Sequence, residues 1–560
     1  MEQFGRRQLR IGILLDDFIV PAWFYAMIEK INAGGYARFV VVVKKKPTAN
    51  PQKSLASKLK ANYHQICYIA YRKFEDRFFR PEPFAFEKKD ISVLFSHVPM
   101  LEVIPIQKKY SDYFQPEDIQ KIMEHDVDVF IRNGFRILRG DILKTARHGI
   151  WSYHHGDNYV NRGGPAGVWE AIEGWRELGS ILQILSENLD GGDVLYRSWS
   201  QRKVILINEG INNMYWKTLS FMPRKLKELH DKGGEDFRRD IEKENQALSF
   251  YSNRLYTTPS NREFITRISK RIWNKTKLKF RSLFFFEQWI LLFAFNKSAN
   301  ISTTLYKFKR ITPPKDRFWA DPCVIRKNDR YYIFLEELIY KQNNGKAHIA
   351  VLEMDDEGNY GKPEIALKRD YHLSYPFIFE YKNELYMVPE SMDKKTIELY
   401  RCTSFPQTWE FVMNLKENIN AVDTTIFEKD GKVWMFTNIK ENEGASNFDE
   451  LFLFYADELL TKNWKAHPKN PIVSDIKSAR PAGPLFYRNE KLYRPSQDCS
   501  HRYGYATILN EVIVLNEQEY SEYPVTCIQP NWSKDLVATH SLCHKHKLTV
   551  VDACIKRRKY

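Results

Sequence analysis

Cysteine is scarce and unpatterned in this chain. Its seven cysteines, at positions 67, 323, 402, 499, 527, 543 and 554, form no CxxC pair and no regular framework. That excludes a disulfide scaffold and points to unpaired thiols in a reducing, cytoplasmic compartment. Long apolar runs are also missing: the longest, Leu283 to Phe295, contains Glu287 and is too short to span a bilayer. The first residues, with Glu2, Arg6 and Arg7 ahead of a brief apolar run, show no signal-peptide pattern. No GxGxxG follows the opening strand, so a nicotinamide cofactor is not indicated. Without a helix-turn-helix, zinc-finger or RNA-binding signature, no specific nucleic acid partner is expected. His540, Cys543, His544 and His546 have metal-like types, but no second cluster completes a four-ligand site, and no metal is expected. Acid is in deficit: 85 Lys and Arg against 70 Asp and Glu leave a charge of +15, which calls for anionic company such as phosphates, acidic sugars or a membrane surface.

What is present divides into two halves. At 560 residues the chain should hold more than one domain. Leu9 to Leu15 and Arg38 to Lys44 read as buried parallel strands around a helix from Trp23 to Ile31. Val103 to Ile106 and Val127 to Ile131 add strands, with helices expected over Pro116 to Glu124 and Gly140 to Arg147. The expected fold is α/β, a doubly wound, Rossmann-like sheet whose ligands sit at strand C-terminal ends.

The stretch from Gly149 to Ser198 organises that half. An apolar strand ends in Ser152-Tyr153-His154-His155, a turn Arg162-Gly163-Gly164-Pro165 leads into a helix, and a second strand ends at Leu189-Asp190-Gly191-Gly192-Asp193. His154 and Asp190 thus make a candidate base and orienter. In these motifs, residues 8 to 230 resemble the formyltransferases that use 10-formyltetrahydrofolate. The resemblance implies Ser152, His154 and Asp190 as catalytic residues and the loop Asn133, Gly134, Phe135, Arg136, Ile137 and Leu138 as the lining of a folate pocket. The family carries asparagine where this chain has Ser152, and losing one oxyanion donor typically costs about 2.7–4 kcal/mol of barrier.

The second half is repetitive. Asp321-Pro322-Cys323, Pro376-Phe377-Ile378, Asp423-Thr424-Thr425 and Pro484-Leu485-Phe486 each open a strand, polar turn and second strand, with a fainter copy at His540-Ser541-Leu542. A period of roughly 50 residues built on hairpins predicts an all-β, five-bladed propeller, with Trp289 to Phe295 closing the last blade. This half resembles the propellers of certain glycoside hydrolases and, more closely, the N-terminal domain of plant glucosamine inositolphosphorylceramide transferases, through Phe318-Trp319-Ala320-Asp321-Pro322, Val388-Pro389-Glu390-Ser391 and Val422-Asp423-Thr424-Thr425. Asp321, Glu337, Glu390, Asp423, Arg480 and Arg494 are the expected substrate-binding residues of the axial funnel, where carboxylates suit acid/base chemistry or sugar-hydroxyl recognition.

The expected organisation is a formyltransferase-like domain over 1–235, a basic helical linker over 236–282 and a propeller over 283–560. Residues 254 to 282 carry nine Lys or Arg and a single acid, Glu263. They read as a solvated basic helix or as peripheral contact with an anionic membrane. The leading functional expectation is formyl transfer from 10-formyltetrahydrofolate to an amino sugar, nucleotide- or glycan-linked, in polysaccharide biosynthesis. The alternative is a catalytically inactive formyltransferase-like module joined to a glycan-binding, glycosidase-like or glycosyltransferase-like propeller.

Overall fold

A computed structural model describes residues 7–47, 62–203, 206–247 and 250–559. The chain divides into two compact units, Met1–Trp273 with Asn442–Ala445, and Asn274–Glu441 with Ser446–Tyr560. The first is mixed α/β and the second is built from many-stranded sheets.

The α/β unit is organised by seven strands: β1 (Leu9–Leu15), β2 (Ala37–Lys45), β3 (Met100–Val103), β4 (Val129–Asn133), β5 (Ile150–His154), β6 (Glu177–Ile184) and β7 (Val194–Gln201). Their order is β7-β6-β5-β4-β1-β2-β3, parallel from β5 to β3 and antiparallel across β5, β6 and β7. Helices cover both faces, so strands such as LRIGILL are apolar nearly throughout. Chain order reverses between β1 and β4, and Leu15 is registered opposite Asn133 at that crevice.

Among the helices are α1 (Ala22–Ala33), α2 (Pro116–Met123), α3 (Val168–Glu173), α4 (Ile207–Thr218), α5 (Phe221–Lys232), α6 (Gly234–Glu244) and α7 (Asn261–Phe284). The helix expected over 140–147 is only a 3₁₀ turn, Asp141–Lys144, bracketed by Gly140 and Gly149 at positive φ. The helical stretch is interrupted between α4 and α5, just before Pro223, which is the third residue of α5 and lies in its first turn, where a missing N–H costs no intrahelical bond. Phe237 of α6 stacks on Trp151 of β5 at 5.8 Å, which draws α6 into the core of the sheet.

In the second unit, β8 (Phe285–Phe295) pairs antiparallel along its whole length with the C-terminal strand Leu548–Arg558. Four four-stranded antiparallel sheets lie between them in sequence, and β8 and the last strand belong to a fifth. The strands that open the first three sheets are β9 (Arg317–Lys327), β11 (Ser374–Tyr381) and β13 (Ala421–Lys429). They pair with β10 (Arg330–Ile339), β12 (Glu384–Ser391) and β14 (Lys432–Ile439). The hairpin tips Asn328-Asp329, Lys382-Asn383, Asp430-Gly431 and Asn489-Glu490 have both residues at positive φ, the two-residue turn that matches strand twist. Apolar clusters join the first sheet to the second, second to third, third to fourth, fourth to fifth, and fifth back to first. The run Leu283 to Phe295 therefore buries its apolar side chains in a sheet from Ile290 onward.

Each of the first three sheets opens on a bulge. The register shifts between Ala320 and Cys323, Ser374 and Phe377, and Val422 and Thr425, and Asp321, Tyr375 and Asp423 take φ of 52°, 42° and 51°. Left-handed backbone costs a non-glycine residue about 1–2 kcal/mol, so three such positions in register are held by their surroundings. The fourth sheet uses Gly483, where a Cβ would lie 2.1 Å from the Leu542 carbonyl oxygen.

Candidate functional site

In the α/β unit His154 and Asp190 lie side by side. His154 Nδ1 lies 3.4 Å from Asp190 Oδ2, with both side chains largely buried. His154 Nε2 is 2.8 Å from the carbonyl oxygen of Asn161, an acceptor only, so Nε2 carries the proton and is occupied. Asp190 also accepts from Gln183 Nε2 at 3.2 Å and from the Gly163 N–H at 3.3 Å. Ser152 is buried, and its hydroxyl accepts from Arg132 Nη1 at 3.2 Å and donates to the Tyr153 carbonyl at 3.4 Å. Arg132 spans from Ser152 to the carbonyls of Phe135 and Arg136, at 2.8 and 2.9 Å. The groups that would serve an oxyanion are thus bonded to one another.

The loop after β4 is held from below. Gly134 has φ of 147°, and a Cβ there would sit 2.4 Å from the Asp16 nitrogen; the Phe135 N–H donates to Asp16 Oδ1 at 2.8 Å. Arg136 pairs with buried Asp112 at 2.7 Å, and Ile137 and Leu138 form a short strand against Ser111 and Asp112. Asn133 ends β4 in register with Leu15. Phe135 and Leu138 pack into the core with Leu14, Phe114 and Phe130.

One residue beside this site was not singled out from sequence. Glu170 is buried on α3 and accepts from Asn161 Nδ2 at 2.8 Å and from its own backbone N–H, while among the described residues its Oε2 has no hydrogen-bond partner. Burial raises its pKa from 4.5 to about 7. A carboxyl whose folded pKa is raised binds its proton more tightly when native, so its stabilising contribution is full below pH 4.5 and is lost as pH rises through about 7. Glu170→Gln should remove that loss and make the protein more stable than wild type at about pH 8, by up to about 3 kcal/mol. Denaturant unfolding of both proteins at about pH 5 and about pH 8 checks it; a gap that does not widen with pH contradicts it.

The second unit gathers more chemistry. Asp423 takes two bonds from Arg480, Nε at 2.6 Å and Nη2 at 3.1 Å, and one from Gln497 Nε2 at 2.9 Å. Arg480 Nη2 lies 3.6 Å from Glu390 Oε2, and its guanidinium stands 5.2 and 5.0 Å from the rings of Phe448 and Tyr503. Burial, reinforced by the Asp423 charge and only partly offset by Arg480, pushes the Glu390 carboxyl well above its usual range. Asp321 is 3.2 Å from His540 Nε2 and accepts from the Ser541 hydroxyl at 2.8 Å; His540 Nδ1 is 2.8 Å from Asp552 Oδ2. Burial raises Asp321 from 3.8 to about 7 against the pull of His540. Against burial, which would lower it, Asp552 and then Asp321 raise His540 to about 9. Asp321, His540 and Asp552 lie close enough to share a cation, but a protonated imidazole has no lone pair to give one.

Asp321, Glu390, Asp423 and Arg480 are therefore brought together. Glu337 and Arg494 are held elsewhere. Glu337 accepts from Trp319 Nε1 at 2.8 Å and Arg317 Nη1 at 3.2 Å and lies 3.1 Å from His348. Arg494 is paired within its own sheet to Glu522 at 2.5 Å. The residue on the Asp321 side is Glu336, 3.3 Å from His372 Nε2, whose charge helps raise Asp321. The repeat itself carried that signal. Glu336 pairs with Ala320, just before Asp321, as Glu390 pairs with Ser374, just before Tyr375. Tyr375, His540 and Asp552 were also missed as partners; Tyr375 Oη accepts from the Gly483 N–H at 2.8 Å.

Residues 299–554 match the sequence family described as glucosamine inositolphosphorylceramide transferase 1, N-terminal. A curated relative from Oryza sativa subsp. japonica, glucosamine inositolphosphorylceramide transferase 1, is 36% identical over 210 residues, 37% of this chain and 28% of that protein. The Arabidopsis thaliana protein of the same name is 35% identical over 212 residues, 37% and 27%. The chain thus spans less than a third of these relatives' length. Among solved structures, a family 117 glycoside hydrolase from Zobellia galactanivorans aligns at TM-score 0.30 and 12% identity, over 48% of this chain and 91% of that one. Glycinamide ribonucleotide transformylase 1 from Symbiobacterium toebii aligns at TM-score 0.27 and 13% identity, over 41% and 93%. These structural likenesses are weak and carry no conclusion. The sequence relatives overturn the expected formyltransferase activity and its 10-formyltetrahydrofolate cosubstrate, because they are named as transferases of another kind. What the comparisons support is a transferase-related, carbohydrate-related C-terminal region that matches the N-terminal part of the glucosamine inositolphosphorylceramide transferases.

Proposed function

We propose that the second unit is a five-bladed propeller that takes an amino sugar at its axis in the service of glycosyl transfer. The α/β unit is then a formyltransferase-like module that performs no formyl transfer. The observation that carries the reading is the convergence of Glu390 and Asp423 on Arg480, with Asp321 of the preceding sheet near enough for its charge to act on Glu390, and Glu336 adding a further carboxylate beside Asp321. Carboxylates accept from sugar hydroxyls and pair with a protonated amine. The faces of Tyr503 and Phe448 beside Arg480 offer the flat apolar surface that a sugar ring covers. Glu390 and Asp321, both raised by burial, are carboxyls able to hold a proton near neutrality, the requirement for protonating a glycosidic oxygen. Asp423, held by two bonds from Arg480, sets a third carboxyl beside them.

The names of the matching relatives support glucosamine as the sugar to try first. Calorimetric titration with glucosamine should show saturable binding, and glucose, which lacks the amine, should bind at least about tenfold more weakly, the equivalent of one charge-assisted hydrogen bond. Equal binding of the two, or binding of neither, contradicts the reading.

A further inference from the structure

Helix α7 carries two apolar faces, and only one of them is buried. Phe264 and Ile268 pack into the core with Val168 and Ile211, while Arg267 and Arg271 bond to Glu173. Beyond that half, every residue from Ile272 to Phe285 is exposed. At about 100° per residue, Ile272, Trp273, Phe280, Leu283 and Phe284 fall in one arc of about 120°, away from the direction of Phe264 and Ile268. Trp273 is 60% exposed and Phe280 63%. Lys277 and Arg281 border the arc on one side, Lys275 and Lys279 on the other. Between Phe264 and Phe286 there are seven Lys or Arg and no acid. No helix among the described residues is long and apolar enough to cross a membrane.

We propose that the second half of α7 lies flat in the headgroup layer of an anionic lipid bilayer, with its Trp–Phe stripe in the acyl boundary and its flanking cations on lipid phosphates. Charge complementarity selects this occupant. A second copy of this half would set Lys275, Lys277, Lys279 and Arg281 against the same four cations, whereas an anionic leaflet attracts each of them and receives Trp and Phe at headgroup depth. The stripe's width and its border of long basic side chains, which can reach past the apolar layer to phosphate, fit the same surface. This goes beyond the sugar site and does not depend on it.

The test is flotation of the full chain with phosphatidylcholine vesicles, with and without phosphatidylserine. The protein should float with the anionic vesicles and not the neutral ones, and added salt should release it. The triple variant Lys275→Glu, Lys279→Glu, Arg281→Glu should lose at least about tenfold in vesicle affinity. The double variant Phe280→Ser, Phe284→Ser should lose affinity comparably. All five positions are exposed, so both variants should keep the wild-type thermal midpoint, which separates lost binding from lost folding. Equal flotation with neutral vesicles, no flotation with either, or unchanged binding by both variants overturns the proposal. So does concentration-dependent self-association, seen by sedimentation, that the aromatic variant abolishes, because the stripe then belongs to a second copy.

Discussion

Arg480→Met should destabilise the second unit by about 3–5 kcal/mol, the usual cost of stranding one partner of a buried ion pair. Asp423 is 2% exposed and takes two bonds from this guanidinium. Methionine fills much of the volume but leaves Asp423 with only Gln497 and the Glu390 carboxyl as its side-chain partners among the described residues. Removing both charges, as Arg480→Met with Asp423→Asn, should recover part of the loss, because a buried pair replaced together costs far less than one broken. Denaturant unfolding of wild type, both single variants and the double variant closes the cycle. A cost for Arg480→Met below about 1 kcal/mol, in the range of exposed ion pairs, would contradict the burial and pairing described for this cluster.

Asp321→Asn should abolish most sugar binding while leaving the unit folded. Asparagine tolerates the left-handed conformation at φ of 52°, so the bulge that aims this side chain is retained. What disappears is the carboxylate charge. If the sugar's amine pairs with it, affinity should fall by about 10- to 100-fold, the worth of a charge-assisted hydrogen bond. His540 keeps Asp552 at 2.8 Å and stays buried in a charged pair. The same variant has a pH signature. His540, raised from 6.5 to about 9, contributes stability that is full below pH 6.5 and is lost as pH rises through about 9. Without Asp321 that loss should be smaller and complete at lower pH. Binding unchanged by the substitution would remove Asp321 from the sugar site.

Much of the architecture was legible because it rests on periodicity. The parallel strands of the α/β unit are continuous apolar runs, and the hairpin tips are polar pairs that accept positive φ, so both halves announce themselves. The side on which each polar residue falls was harder to read. Glu336 and Glu337 are neighbours on one strand and point to opposite faces, and only the pairing of Ala320 with Glu336 decides which one joins Asp321. Arg494 looked equivalent to Arg480, yet it meets Glu522 across its own sheet.

His154 and Asp190 meet in space, yet their atoms and the Ser152 hydroxyl are taken up by Arg132, Asn161, Gln183 and Gly163. A motif records which residue types meet; it does not record whether their donors and acceptors remain available. Glu170 carried no sequence signal, because the two acids in the pattern VWEAIE read as the solvent side of a helix.

Hydrogen exchange with and without saturating glucosamine tests the central claim most directly, because it shows which unit takes the sugar. The account predicts slowed exchange in segments 319–323, 387–391, 421–425 and 480–484 of the second unit, and no change around Ser152, His154 and Asp190. Protection confined to the segments around β5 and α3, with the propeller segments unchanged, would contradict it.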